Sequence, residues 1–153
     1  MSAPVLSPDG KWLAYYSIES GRREIFVSPF PNVTDGRWQI SQEGGFQPLW
    51  SRDGKELFYV AGMAFPAPLM VATVQPDGGK FTVGARKPVW NANPPPPYFI
   101  NTSALVTRTY DLSPDNQRFI VLKDVKPTDA LEQIVIVQNW TEELKRRVPR
   151  PAK

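Results

Sequence analysis

The chain of 153 residues contains neither cysteine nor histidine. Without cysteine, neither a disulfide framework nor a thiolate nucleophile can form. Without histidine, no imidazole can serve as a metal ligand, a general base or a switch near neutral pH. A Ser-His-Asp or Cys-His catalytic centre therefore cannot be built from this chain. We predict a protein that is not an enzyme, with no catalytic residue, no cofactor and no metal site.

The sequence also lacks long apolar runs. None approaches the roughly 20 residues of a membrane-spanning helix, and the N-terminal segment has no charged region followed by an apolar stretch, as a signal peptide would. We therefore expect a cytoplasmic protein that does not bind membranes. A periplasmic location is the alternative if the chain belongs to a longer exported protein.

Positive charge is concentrated at one end. The formal net charge is +3, from 18 Lys+Arg against 15 Asp+Glu. Five of the positive charges lie in the last nine residues: Lys145, Arg146, Arg147, Arg150 and Lys153. Without them, 13 positive charges face 15 negative ones, a balance of about −2. The body of the chain lacks the basic face of nucleic-acid binders, so we expect no nucleic-acid partner.

A short turn motif recurs three times, with serines 44 and 62 residues apart. Its copies are Ser7-Pro8-Asp9-Gly10-Lys11, Ser51-Arg52-Asp53-Gly54-Lys55 and Ser113-Pro114-Asp115-Asn116-Gln117. Asp-Gly and Asp-Asn pairs favour tight turns because the second residue tolerates positive φ. β-forming residues precede and follow each copy, so each unit is predicted to be strand, turn, strand.

Further strands complete the units. Third strands are predicted at 24–27, 69–74 and 133–137, and outer fourth strands at 37–40 and 88–90. Four short antiparallel strands in a unit of about 44 residues are typical of a β-propeller blade. We predict an all-β fold, a partial β-propeller of about three four-stranded antiparallel blades. A sandwich or barrel would also give short strands, but would not explain the recurring turn.

The blades are expected at about 4–45, 46–92 and 105–140, and residues 141–148 at the end of a domain spanning 1–148 are predicted to form a short helix. Either Asn139 or Thr141 can cap this helix, and Pro149 stops it. Residues 149–153 are a basic tail. The proline run at 94–97 explains the longer repeat spacing, either as a stiff connection or as a segment that docks onto a partner.

The repeated units resemble the WD40-like (PD40) repeats of TolB-family propellers. From residue 4 to 148 the chain also resembles the last blades of propellers associated with bacterial serine/threonine kinases, on these segments: Val27-Ser28-Pro29-Phe30-Pro31, Trp38-Gln39-Ile40-Ser41, Pro48-Leu49-Trp50-Ser51 and Val135-Ile136-Val137-Gln138-Asn139-Trp140. The resemblance implies a propeller tail and not a kinase, because no kinase motif is present.

Several sets of residues have both a functional and a structural interpretation. The turn carboxylates could bind Ca²⁺, but their recurrence favours a role in the turn; they are Asp9, Asp53 and Asp115. The tryptophans could stack on a sugar, but we expect them in the core; they are Trp12, Trp38, Trp50, Trp90 and Trp140. Three arginines could meet an acidic partner, but we expect them to be solvated; they are Arg22, Arg23 and Arg37.

Three blades cannot close a ring, since propellers have about 4 to 8. The two open blade faces predict a homodimer in which three plus three blades close the ring; a longer parent chain or a distorted sandwich would be the alternatives. We expect a noncatalytic interaction or scaffold module, with a protein or peptide as a possible partner. The alternative is a carbohydrate-active enzyme or glycan-binding propeller that uses channel-facing carboxylates, for which four glutamates are available without a spacing that singles out a pair: Glu19, Glu24, Glu43 and Glu56.

Overall fold

The computed structural model describes residues 2–62, 67–77, 80–90, 108–122 and 134–137. Within these ranges the chain is all-β, and its strands form three antiparallel sheets. The proline run at 94–97, the predicted helix at 141–148 and the basic tail at 149–153 lie outside the described residues. The prediction of an all-β fold built of propeller-type blades is confirmed.

Each sheet is a meander in which strands that are neighbours in sequence are neighbours in space. Blade 1 consists of β1 (Ser2–Leu6), β2 (Trp12–Ser17), β3 (Glu24–Pro29) and β4 (Trp38–Gln39). Blade 2 consists of β5 (Gly45–Trp50), β6 (Glu56–Ala61), β7 (Leu69–Asp77) and β8 (Lys80–Pro88). Blade 3 has three described strands: β9 (Tyr110–Leu112), β10 (Phe119–Leu122) and β11 (Ile134–Val137).

The outer strand of blade 2 differs from the prediction. We expected it at 88–90, but β8 ends at Pro88 and pairs with β7 from Met70↔Pro88 to Asp77↔Lys80. β7 is also longer than expected, since it continues to Asp77. Only two residues, both glycine in the sequence, separate Asp77 from Lys80, a length that suits a tight hairpin turn.

The turn motif forms the same hydrogen bonds in all three blades. In blade 2, Ser51 Oγ donates to Asp53 Oδ1 at 2.7 Å and accepts from Glu56 N at 2.9 Å. Asp53 Oδ1 also accepts from Lys55 N at 3.2 Å. The equivalent bonds hold the turns around Asp9 and Asp115. The structure thus shows the turn role that the recurrence of these aspartates predicted.

Replacing Ser51 with alanine is expected to lower the free energy of unfolding by about 1–2 kcal/mol. The serine is buried, and its loss leaves the Glu56 amide and the Asp53 carboxylate without their shared partner. Urea unfolding followed by circular dichroism would measure the loss. Ser20→Ala is the control, because the Ser20 hydroxyl makes one exposed bond of 3.3 Å to Arg22 O; an equal loss in both variants would contradict the prediction.

Blade 1 packs on blade 2 through aromatic rings. Trp12 of β2 lies 4.9 Å from Phe81 of β8 and 5.6 Å from Trp38, measured between ring centroids. The Trp50 indole N–H donates to Val5 O at 3.2 Å. Trp12 and Trp50 are buried, which confirms the core interpretation for them, and Trp38 and Trp90 pack against the same core. Trp140 lies outside the part of the chain that is described.

Blade 2 packs on blade 3 through an apolar cluster and a polar one. Phe58 of β6 contacts Phe119 of β10 edge to face, with centroids 5.1 Å apart. Nearby, Tyr110 Oη donates to Gln47 O at 2.6 Å. Thr109 N and Oγ1 both donate to Gln47 Oε1, at 3.2 and 3.1 Å. Blade 2 therefore has both of its faces covered by other blades.

Candidate binding groove

A groove of about 990 Å³ opens between blades 2 and 3, on the side where the Ser-x-Asp turns lie. Its walls come from the β5–β6 turn, the start of β6, the end of β7 and the β9–β10 turn. Most of the lining residues have polar side chains, although the larger part of their exposed surface in the groove is apolar: Asp53, Gly54, Lys55, Glu56, Thr73, Val74, Gln75, Pro76, Asp115, Asn116 and Gln117. Both walls belong to one chain.

Glu56 lies where the apolar interface between blades 2 and 3 gives way to this groove. Side chains alternate along a strand, so Glu56 and Phe58 share one face of β6. Because Phe58 contacts Phe119, that face is directed towards blade 3. The Glu56 side chain is half-buried, and across the described ranges its carboxylate has no hydrogen bond or ion pair. A half-buried carboxylate without a donor is unfavourable.

The pKa values of two neighbouring carboxyl groups in the groove are shifted in opposite directions. Burial raises the pKa of Glu56, the negative charge of Asp53 raises it further, and Lys87 partly offsets both. The hydrogen bond from Ser51 lowers the pKa of Asp53, burial opposes this, and the Lys55 amide and ammonium lower the pKa further. Burial is the largest cause of the Glu56 shift and only the second cause for Asp53, so the charged form of Glu56 is the more strongly disfavoured of the two by burial.

Replacing Glu56 with glutamine is expected to stabilise the protein at pH 7. The folded-state pKa of Glu56 lies above its unfolded value, so the cost of ionisation is fully present above the folded pKa. It disappears as the pH falls below the unfolded pKa of about 4.3. The difference in unfolding free energy between E56Q and wild type should therefore shrink from pH 7 to pH 4. Parallel urea titrations would measure it; a difference independent of pH would contradict the assignment.

The corresponding groove between blades 1 and 2 is much smaller, at about 280 Å³. The reason lies in one repeat position, the fifth residue after the turn serine, which is Trp12 in blade 1, Glu56 in blade 2 and Arg118 in blade 3. Trp12 is buried against Trp38 and Phe81 and fills its groove. A shorter, charged side chain at the same position leaves the second groove open.

The other sequence candidates do not meet in this groove. Arg37 Nη1 donates to Glu19 Oε2 at 2.5 Å, and its guanidinium lies 3.7 Å from the centre of the Phe26 ring. Arg22 Nε donates to Glu24 Oε1 at 2.5 Å. These two arginines are therefore paired within blade 1, and the side chains of Arg22 and Arg37 remain 54% and 36% exposed to solvent. Arg23 lies 6.0 Å from the ring centre of Tyr16.

The four glutamates are dispersed. Glu24 is buried in blade 1, Glu19 and Glu43 are exposed, and only Glu56 faces the groove. Sequence reasoning included Glu56 without distinguishing it; the signal that could have done so is the Trp12-to-Glu56 change at one repeat position. Among the residues that are described, no three acidic side chains are grouped so that they could hold a metal ion.

Comparisons with known proteins bear on the fold alone. No family model matches the chain, and no curated protein matches it. Among solved structures, it is similar to a Bacteroides uniformis protein that carries the provisional name 6-phosphogluconolactonase, with 15% identity over 90% of this chain and a TM-score of 0.50. It also matches TolB from Acinetobacter baumannii, with 18% identity over 91% of the chain and a TM-score of 0.41.

The chain spans 41% of the length of each of these two structures. At such low identity the first likeness supports the blade architecture and says nothing about activity. In the described ranges, no helix is long and apolar enough to cross a membrane.

Proposed function

We propose that this chain is a noncatalytic β-propeller interaction module that pairs with a second copy to close a ring of three plus three blades. The observation that carries the proposal is the apolar outer face of blade 1. By outer face we mean the side of a terminal blade that is directed away from blade 2. Apart from the parts of the chain that are not described, nothing covers this face with another sheet.

The outer face of blade 1 follows from strand alternation. Trp12, Ala14 and Tyr16 of β2 belong to the core shared with blade 2, so the residues between them face the other way. Their row carries four large apolar side chains: Leu6, Leu13, Tyr15 and Phe26. Phe30 follows β3, and its amide donates to Lys11 O at 2.8 Å. Leu6 and Phe30 are 45% and 43% exposed. Tyr15 in the same row is 2% exposed, whereas Leu13 and Phe26 are partly exposed. Exposed apolar side chains on a terminal blade are the kind of surface that marks an interaction site.

Blade 3 exposes one large apolar side chain on its outer face. Phe119 and Val121 are fully buried towards blade 2, while Ile120 between them is 46% exposed. In the backbone register Ile120 of β10 pairs with Asp111 of β9 and with position 136 of β11. Asp111 lies near two arginines, at 3.7 Å from Arg108 Nη2 and 4.0 Å from Arg52 Nη2.

A second copy of the chain would cover the outer faces of blade 1 and blade 3 at the same time. The contact between blades 1 and 2 shows that an apolar blade face of this chain is normally covered by the next blade. A two-fold rotation brings blade 3 of one copy against blade 1 of the other, twice in the ring. Such a closed arrangement leaves no open blade face, and closed symmetry is the rule for homo-oligomers.

Light scattering coupled to size-exclusion chromatography tests the proposal. The expected mass is twice the 17.2 kDa of one chain. Ile120→Lys places a charge on the outer face of blade 3 and should give a folded monomer. Thr82→Lys, at an exposed position of β8 in blade 2, adds the same charge and should leave the dimer intact. A monomeric wild type, or a dimer unaffected by Ile120→Lys, would overturn the proposed pairing.

A further inference from the structure

We infer that the contact between copies repeats the contacts between blades within the chain, so that Ile120 of one copy packs on Leu13 of the partner subunit. The inference rests on the proposed pairing and deepens it, because it names the residues that meet and sets blade 3 of one copy on blade 1 of the other in one register. Repeat positions are counted from the turn serines, Ser7, Ser51 and Ser113.

The seventh residue after each turn serine faces the next blade. In blade 2 it is Phe58, which is 2% exposed and contacts Phe119 of blade 3. In blade 1 it is Ala14, which is fully buried in the core shared with blade 2. In blade 3 it is Ile120, which is 46% exposed. Ile120 therefore has the position of two residues that a following blade buries, and no described blade follows it.

The sixth residue after the turn serine faces the preceding blade. In blade 3 it is Phe119, which is fully buried and contacts Phe58. In blade 2 it is Leu57, also fully buried, on the opposite face of β6 from Phe58. In blade 1 it is Leu13, which is partly exposed. Because Phe58 and Phe119 meet through positions seven and six, the same geometry sets Ile120 of one copy against Leu13 of the partner subunit.

The residue before the turn serine gives independent support for a blade in front of blade 1. In blade 2 it is Trp50, whose indole N–H donates to Val5 O of blade 1 at 3.2 Å. In blade 3 it is Leu112, and both of these side chains are 3% exposed. In blade 1 it is Leu6, which is 45% exposed. Leu6 is thus exposed at a position that is buried in the two blades that have a predecessor.

The turns indicate the same register. A Cβ on Gly54, the fourth residue of its motif, would lie 3.7 Å from Pro8 Cδ, in the second residue of the preceding motif. The same two motif positions are joined between blades 2 and 3, where the backbone N–H of the second residue donates to Asn116 Oδ1 at 2.9 Å. Between copies the corresponding pair is Pro114 with Gly10. This pair has the residue types of the contact between blades 1 and 2.

One charged residue lies at this contact. Asp111 of blade 3 has the repeat position of Val5 and Leu49, and its side chain is half exposed. Its carboxylate lies 3.7 Å from Arg108 Nη2 and 4.0 Å from Arg52 Nη2, both of the same chain. Asp111 therefore does not enter the contact as an unpaired charge, which would oppose burial.

Crosslinking of introduced thiols tests the register, since the chain has no cysteine of its own. Leu13→Cys and Ile120→Cys are mixed in urea, refolded together and treated with a short bismaleimide, which bridges neighbouring thiols. We expect a covalent dimer on a denaturing gel from the mixture and none from either variant alone. Thr82→Cys, at an exposed position of β8 in blade 2, is the matched control, and its mixture with Leu13→Cys should give no covalent dimer.

The mass of each untreated sample, measured by light scattering, separates this inference from the proposed pairing. A dimer in which Leu13→Cys crosslinks to itself would set blade 1 on blade 1 and overturn the inferred contact. A dimer that gives no crosslink in the mixture, or as much crosslink with Thr82→Cys, would overturn the register and leave the pairing intact. A monomer would overturn the pairing and the inferred contact together.

Discussion

Replacement of Glu24 with alanine is expected to lower the free energy of unfolding by about 3–5 kcal/mol. The Glu24 side chain is 1% exposed and is the common acceptor of three donors. Arg22 Nε and the Gly44 amide donate to Oε1, at 2.5 and 3.1 Å, and the Ser41 hydroxyl donates to Oε2. Alanine removes this acceptor and leaves the buried Gly44 amide and the proton of the Ser41 hydroxyl without an acceptor.

The location of Glu24 makes the loss larger than that of one hydrogen bond. Ser41 Oγ also accepts from Ile25 N at 2.8 Å, and the Gly45 amide donates to Arg23 O at 2.8 Å. Glu24 thus holds the connection from β4 to β5, which joins blade 1 to blade 2. The connection is tight, since a Cβ on Gly45 would lie 2.8 Å from Ser41 Cβ.

Three variants measured by urea unfolding separate the causes. Glu24→Ala should show the full loss, and Glu24→Gln a smaller one because an acceptor oxygen and the shape remain. Glu19→Ala is the matched control. Glu19 also pairs with an arginine, but its side chain is 67% exposed, and exposed pairs contribute about 0–1 kcal/mol. Comparable losses for Glu19→Ala and Glu24→Ala would show that burial is not the cause.

Replacement of Phe58 with alanine is also expected to lower the free energy of unfolding strongly, by about 3–5 kcal/mol. Phe58 is 2% exposed and contacts Phe119, which is fully buried. Phe119 also meets Trp90 at 5.7 Å between ring centroids. The cavity left by Phe58 would therefore lie between blades 2 and 3, where neither sheet can collapse onto the other without breaking the Gln47–Tyr110 contact.

Near-ultraviolet circular dichroism and urea unfolding would measure this effect. Phe58→Leu should lower the free energy of unfolding less than Phe58→Ala, because leucine fills more of the space that the Phe58 side chain occupies. Ile18→Ala removes a similar apolar volume from a side chain that is 63% exposed and should change stability by less than about 0.5 kcal/mol. If Phe58→Ala lost no more than Ile18→Ala, the packing of blade 3 on blade 2 would have to be rejected.

Local features were well predicted from the sequence. Each Ser-x-Asp turn depends on contacts between residues at most five apart, such as Ser51 with Glu56, so the motif carries its own structure. The outer strand of blade 2 was misplaced because Val89 and Trp90 look β-forming in isolation. In the structure β8 begins earlier, at Lys80, and pairs with β7 as far as Pro88.

The roles of the acidic residues could not be predicted in the same way. Glu24 and Glu56 both lie at the start of a strand, and no local pattern distinguishes them. One is buried and holds the connection between blades, and the other faces a groove without a donor. The difference arises from the partners, because Ser41 and Gly44 surround the first, whereas blade 3 leaves space beside the second.

The sequence by itself determined the absence of thiol and imidazole chemistry, the recurring turns and the blade-type strands, since each depends on composition or on neighbours along the chain. The tertiary structure alone decided which blade faces are covered, where the groove opens and which carboxylate lines it. Those features depend on contacts between residues far apart in sequence, such as Trp50 with Val5 across 45 positions and Arg52 with Asn116 across 64. The free energy of such contacts is set by the packing of one sheet on the next, and no short segment contains that information.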